Sequence, residues 1–134
     1  MSFSLGCAVW SYKEWVGSFF PHGSKSSDFL RLYAQRMQNV EGNTTFYATP
    51  SDETVRKWRA DTPASFRFCL KIPQHISHQG SLADNITLTH DFVRQMAPLE
   101  ERLGPFFLQL PPHFAIKHLP VSYTHLTLPT ILLV

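Results

Sequence analysis

The feature that most constrains this chain is its punctuation: short apolar runs, most of them halted by Pro or by a polar turn, alternate with longer segments of helical period. Leu5-Gly6-Cys7-Ala8-Val9-Trp10 is the first run, and Asn39 to Thr45 is the second. Phe66-Arg67-Phe68-Cys69-Leu70-Lys71-Ile72 is the third, stopped by Pro73, and Phe106 to Leu110 is the fourth, stopped by Pro111-Pro112. Runs this short and this apolar suit strands buried on both faces. Between them Phe29, Leu32, Tyr33 and Arg36 recur at helical spacing as far as Met37, behind Ser27 and Asp28 as N-cap and first-turn acid. Thr49-Pro50-Ser51-Asp52 opens a second helix with Pro50 at its first position, and Val55, Trp58 and Arg59 follow before Pro63 closes it. A third helix is expected from Thr89 to Leu103, with Pro98 kinking or dividing it and Gly104-Pro105 ending it. The order β-α-β-α-β-α-β implies an α/β fold with a parallel sheet and right-handed crossovers. No GxGxxG or Walker A loop follows any strand, which argues against a Rossmann or P-loop protein.

Composition narrows the class further. A chain of 134 residues, 43% hydrophobic and 16% charged, fits one soluble globular domain. The formal net charge of +2 gives no electrostatic case for nucleic acid or a membrane surface. No apolar run is long enough to span a bilayer, and Met1-Ser2-Phe3-Ser4-Leu5 lacks the basic flank and apolar core of a signal peptide. The two cysteines, Cys7 and Cys69, lie inside apolar runs, as reduced buried thiols do, and a cytoplasmic location is expected.

Polar residues gather where the strands end, which is where barrels and open α/β sheets place their sites. Alternation along the second strand puts Glu41, Asn43 and Thr45 on one face, with Val40, Gly42 and Thr44 toward the helices. Lys71 shares a face of the third strand with Arg67 and Cys69, and Gln109 closes the fourth. Glu41 and Lys71 are therefore the expected catalytic or electrostatic pair. The competing interpretation is a structural network in which Glu41 pairs with Lys71 or Arg67. Asn43, Thr45, His78 and Gln109 are expected to bind ligand, together with Trp10, Tyr12 and Tyr47 on an aromatic rim that also includes Trp15 and Phe46. His75 and His78 have i, i+3 spacing, but no carboxylate or Cys beside them completes a known metal pattern, so no metal site is expected. No pattern names a cofactor.

Several segments resemble the YecE-like proteins, a family of unknown function with a TIM-type barrel. They are Trp10-Ser11-Tyr12-Lys13-Glu14-Trp15-Val16-Gly17, Val40-Glu41-Gly42-Asn43-Thr44-Thr45-Phe46-Tyr47 and Thr54-Val55-Arg56-Lys57-Trp58-Arg59. Phe66 to Pro73, Ile76-Ser77-His78 and Leu108-Gln109-Leu110-Pro111-Pro112 complete the set. Gly6-Cys7-Ala8-Val9 departs from the pattern, since the family often has Gly and small hydroxyl residues there. A (β/α)8 barrel takes about 250 residues, so the resemblance implies the amino-terminal half of one, with about four strands. Residues 1–120 are then a partial barrel domain. Residues 121–134, beginning Val121-Ser122-Tyr123-Thr124-His125, resemble the translation of a transposase adapter used in sequencing libraries and are expected to be a non-native tail. Both open edges, at the first and fourth strands, should then favour self-association.

Enzyme and binding module both stay open at this point. In the first interpretation the parent protein binds or converts a small polar or phosphorylated ligand at the carboxyl face of the barrel, and this half alone is inactive. In the alternative it is a non-catalytic binder of a nucleic-acid strand or protein partner.

Overall fold

The computed structural model of the chain describes residues 2–114 and 131–133. Three parallel strands, β1 (Gly6–Cys7), β2 (Asn39–Gly42) and β3 (Arg67–Leu70), form a sheet in sequence order. A second parallel pair, β4 (Phe106–Leu108) and β5 (Ile131–Leu133), lies beside β3. The three-stranded sheet and this pair are joined by a bridge between Lys71 and Phe107, and the Ile72 N–H donates to the Phe107 carbonyl at 2.9 Å. The crossovers are helical: α1 (Phe29–Ala34), α2 (Asp52–Asp61), the single turn α3 (Gln74–Ser77) and α4 (Ile86–Met96). Helices between parallel strands of an open sheet are what half of a TIM-type barrel looks like. Among the described residues no helix is long and apolar enough to cross a membrane.

Local chemistry sets these boundaries. Ser51 caps α2 by accepting the Thr54 N–H at 3.2 Å, so Pro50 stands just outside the helix rather than at its first position. Pro98 ends α4 at Met96, and the chain continues as tighter turns through Arg102 with Glu100 at φ 52, so the long third helix is divided. The helix expected through Met37 is shorter, because a 3-10 turn over Ser26–Asp28 precedes α1 and Ala34 ends it.

One side of the sheet is finished. Val40, Phe68, Leu70, Ile72, Phe106 and Leu108 are all buried against Tyr33 of α1, Val55 of α2 and Phe92 and Met96 of α4. Tyr33 is fully buried with both hydroxyl functions used: it accepts the Cys7 N–H at 2.6 Å and donates to the Asn39 carbonyl at 2.8 Å. That phenol ties α1 to β1 and β2, and its burial pushes its pKa up from the ordinary 10.0 to about 12. Close approach demands glycine at Gly104, where a Cβ would stand 2.9 Å from the Phe68 carbonyl that its own N–H bonds at 2.8 Å.

The expectation that the fourth strand is an open edge is corrected: Ile131–Leu133 pairs with it in parallel, Phe106 opposite Ile131 and Leu108 opposite Leu133. Residues 121–130 and 134, on which most of the tail assignment rests, lie outside the described residues.

Candidate functional site

Alternation brings the other residues of the same strands to the opposite side of the sheet. Asn39, Glu41, Cys69, Lys71 and Phe107 are each half-buried where their neighbours are fully buried. Glu41 lies opposite Cys69 in the β2–β3 register. Asn39, Glu41, Cys69 and Phe107, with Gly6, Cys7 and Pro105, border a cavity of about 500 Å³. Glu41 also borders a second space of about 230 Å³, with Trp10, Asn43 and Tyr47. No described residue forms an ion pair or side-chain hydrogen bond with the Glu41 carboxylate. Burial, and after it the Glu41 charge, pushes the Cys69 thiol up from its ordinary pKa.

Lys71 leaves β3 at its carboxyl end, its N–H donating to the Gly42 carbonyl at 3.0 Å. Its ammonium stands 4.2 Å from the centre of the Phe46 ring and 5.8 Å from that of Phe107. The expected structural pairing of Glu41 with Lys71 or Arg67 is absent. Lys71 rests on aromatic faces, and the Arg67 guanidinium donates to the Ala64 and Phe66 carbonyls at 2.7 and 2.9 Å.

Phe46 is the hub of this corner. Lys71 lies over its ring, the Tyr47 ring meets it edge-on at 5.1 Å, and the His78 ring does so at 5.3 Å. The His78 Nδ1 lies 2.7 Å from the Ser77 hydroxyl. Asn43 is half-buried, its amide 3.4 Å from the Ala8 carbonyl. Tyr47 is 74% exposed and therefore free to meet a ligand.

The remaining predicted residues are held by other contacts. β2 ends at Gly42 and Asn43 turns helical at φ −81, ψ −19, so alternation does not extend to Thr45. Thr45 is instead fully buried, with its hydroxyl 2.6 Å from the Lys71 carbonyl and 3.1 Å from that of Gly42. It fastens the two strand ends together, which corrects its expected place beside a ligand. Trp10 borders the space of about 230 Å³ beside Glu41 and also packs edge-on against Trp58 of α2 at 5.3 Å and Phe68 at 6.2 Å, so its ring is shared with the helix layer. Tyr12 packs on Trp15 at 5.4 Å, and Gln109 is exposed beyond the end of β4. Phe107 and Ser77 were not singled out in the sequence. The Phe107 signal was available, because its alternation with buried Phe106 and Leu108 aims it at the Glu41 side. Among the described residues no three His, Cys, Asp or Glu side chains are grouped to hold a metal ion.

A parallel α/β half-barrel with polar and aromatic side chains at the carboxyl ends of its strands defines the class. The chain belongs to the family described as "Protein of unknown function DUF72", which matches residues 4–128. It is 41% identical over 119 residues to the UPF0759 protein YecE of Escherichia coli K12, covering 89% of this chain and 41% of that protein. Among solved structures it is similar to a DUF72 family protein (EF0366) of Enterococcus faecalis V583, with a TM-score of 0.75 and 26% identity over 97% of this chain and 49% of that one. A DUF72 family protein (TM1631) of Thermotoga maritima MSB8 gives a TM-score of 0.72 at 26% identity, over 97% of this chain and 55% of that one. The chain thus spans about half or less of the length of these relatives.

Proposed function

We propose that the carboxyl face of this half-barrel binds, and in the complete protein converts, a small polar or phosphorylated ligand, with Glu41 and Lys71 as its charged groups. The observation that carries this is their lack of neutralisation: a half-buried carboxylate borders two cavities without an ionic partner, and a half-buried ammonium rests on Phe46 rather than on an acid. Native structures rarely hold a buried charge unpaired, and such charges gather at sites where a ligand completes them. Lys71 suits a phosphate or carboxylate, Asn43 and Glu41 suit hydroxyls, and Tyr47 offers a face for stacking. A barrel site draws on several strand ends, so β1 to β4 contribute one side and the rest of a full-length relative the other.

The test uses titration calorimetry with inorganic phosphate and glycerol phosphate, on this chain and on variants of it. Lys71→Met is expected to abolish phosphate-dependent heat, and Glu41→Gln to weaken glycerol phosphate more than inorganic phosphate. Both should cost no more than about 3 kcal/mol of stability, the usual range for single substitutions. Equal binding by the parent and by Lys71→Met would overturn the assignment.

A further inference from the structure

A separate cavity of about 380 Å³ opens on the same face, between the segment after β3 and the exit of β4. Ser77, His78, Leu82, Ala83, Pro111 and His113 are among its walls, and no Asp or Glu lines it among the described residues. Its volume falls in the range of small-molecule pockets, and its wall is built rather than loose. The Asn85 amide donates to the Ile76 carbonyl at 3.0 Å and to the Gln79 carbonyl at 2.5 Å, and the Ser81 hydroxyl donates to Asp84 at 2.7 Å while accepting the Asp84 N–H at 3.1 Å. These bonds fix the loop that carries Leu82 and Ala83.

One ring nitrogen of His78 is engaged by its neighbour, and the other is not. Ser77 is buried, and its hydroxyl has one proton to give. The Ser77 hydroxyl lies 3.5 Å from the Pro73 carbonyl and 2.7 Å from His78 Nδ1, a contact in which either atom can be the donor. An anion at Nε2, for which no described residue supplies a partner, selects the tautomer in which Nδ1 accepts from Ser77 and Nε2 carries the hydrogen. A second imidazole, His113, faces the same cavity, while the rest of the wall named above is largely apolar. Two imidazoles able to present an N–H, apolar walls and no acid suit a receptor for an apolar anion.

We infer that the cavity walled by Ser77, His78, Leu82, Ala83, Pro111 and His113 binds a small apolar carboxylate, its ring or chain against Leu82 and Ala83 and its carboxylate on His78 Nε2. This site is independent of the Glu41–Lys71 reading and uses neither residue.

Benzoate is the probe, with benzyl alcohol supplying the same ring without the charge. In ¹H–¹³C spectra of the histidine rings, benzoate should shift the His78 resonances saturably, and benzyl alcohol should do so much more weakly. His78→Phe should weaken benzoate by roughly ten-fold or more, the worth of a hydrogen bond to a charged group. Ala83→Leu, which fills the space and leaves every hydrogen bond in place, should abolish binding, whereas Lys71→Met should not change it. Absence of a saturable shift, or benzoate binding untouched by Ala83→Leu, overturns the inference. Loss of binding in Lys71→Met does so as well, because the carboxylate would then belong to the other site.

Discussion

The two faces of the β2–β3–β4 sheet are written by alternate positions of the same strands and could hardly differ more. Val40, Phe68, Leu70, Phe106 and Leu108 point toward the helices and are closed from water, 0 to 1% exposed. Asn39, Glu41, Cys69, Lys71 and Phe107 point the other way and stay half-open. The first face reads as a domain core, where stability comes from apolar area and close packing. The second carries a carboxylate, a thiol and an ammonium, the last lying over the Phe46 and Phe107 rings. It contributes little to holding the chain together, and its chemistry is correspondingly free to serve a ligand. Single substitutions one residue apart should separate these roles.

The largest expected effect lies on the helix-facing side. Phe68→Ala removes a ring that contacts Trp10, Trp58 and Phe66, and should cost about 3–5 kcal/mol in urea unfolding. Cys69→Ala, on the half-open face, should cost less than about 1.5 kcal/mol, since it removes one sulfur from a site already part-wet. Comparable losses for the two would erase the distinction between the faces.

A smaller effect is expected at Tyr33, which joins the helix layer to two strands. Tyr33→Phe keeps the ring but leaves the Cys7 N–H and the Asn39 carbonyl without this partner, which should cost about 1–3 kcal/mol. The same phenol sets an alkaline limit. Its folded pKa is raised from 10.0 to about 12, so the folded state holds the proton more tightly than the unfolded chain. The resulting stability is complete below the ordinary value and is lost as pH climbs toward about 12. Ultraviolet titration should therefore find one tyrosine ionising last, with unfolding, and Tyr33→Phe should remove that step. A variant whose slowest tyrosine still titrates there would place the step at Tyr12, Tyr47 or Tyr123.

How much of this was readable beforehand depends on what each residue answers to. The strand order, the helix-facing residues and the division at Pro98 follow from local period and backbone chemistry, which a sequence shows directly. The end of β2 does not. Asn43-Thr44-Thr45 continues an apparent alternation, but the turn begins at Asn43 because the Thr45 hydroxyl finds the Lys71 carbonyl, 26 residues away. The same holds for Glu41 and Lys71, whose opposite charges suggested an ion pair. Two aromatic rings, Phe46 from the turn and Phe107 from β4, give the ammonium another partner that no linear spacing discloses. Long-range contacts decided both places.

The smallest effect probes the half-open face itself, through the reactivity of one thiol. Thiolate is the species that iodoacetamide alkylates, and Cys69 forms it reluctantly because burial and then the Glu41 charge raise its pKa. Glu41→Gln removes only the second cause. At a fixed, mildly alkaline pH the variant should hold more thiolate, and Cys69 should be alkylated faster by a factor of a few. Burial remains, so the thiol should still react more slowly than a free cysteine. Cys7 reports on the comparison, because it borders the same cavity but stands opposite Val40 rather than Glu41 in the strand register. A rate change at Cys69 alone would place the unpaired carboxylate beside β3. Equal acceleration of both thiols would mean that the substitution had loosened the strands. No change at either would show Glu41 to be neutralised by something that the pairing of β2 with β3 does not reveal.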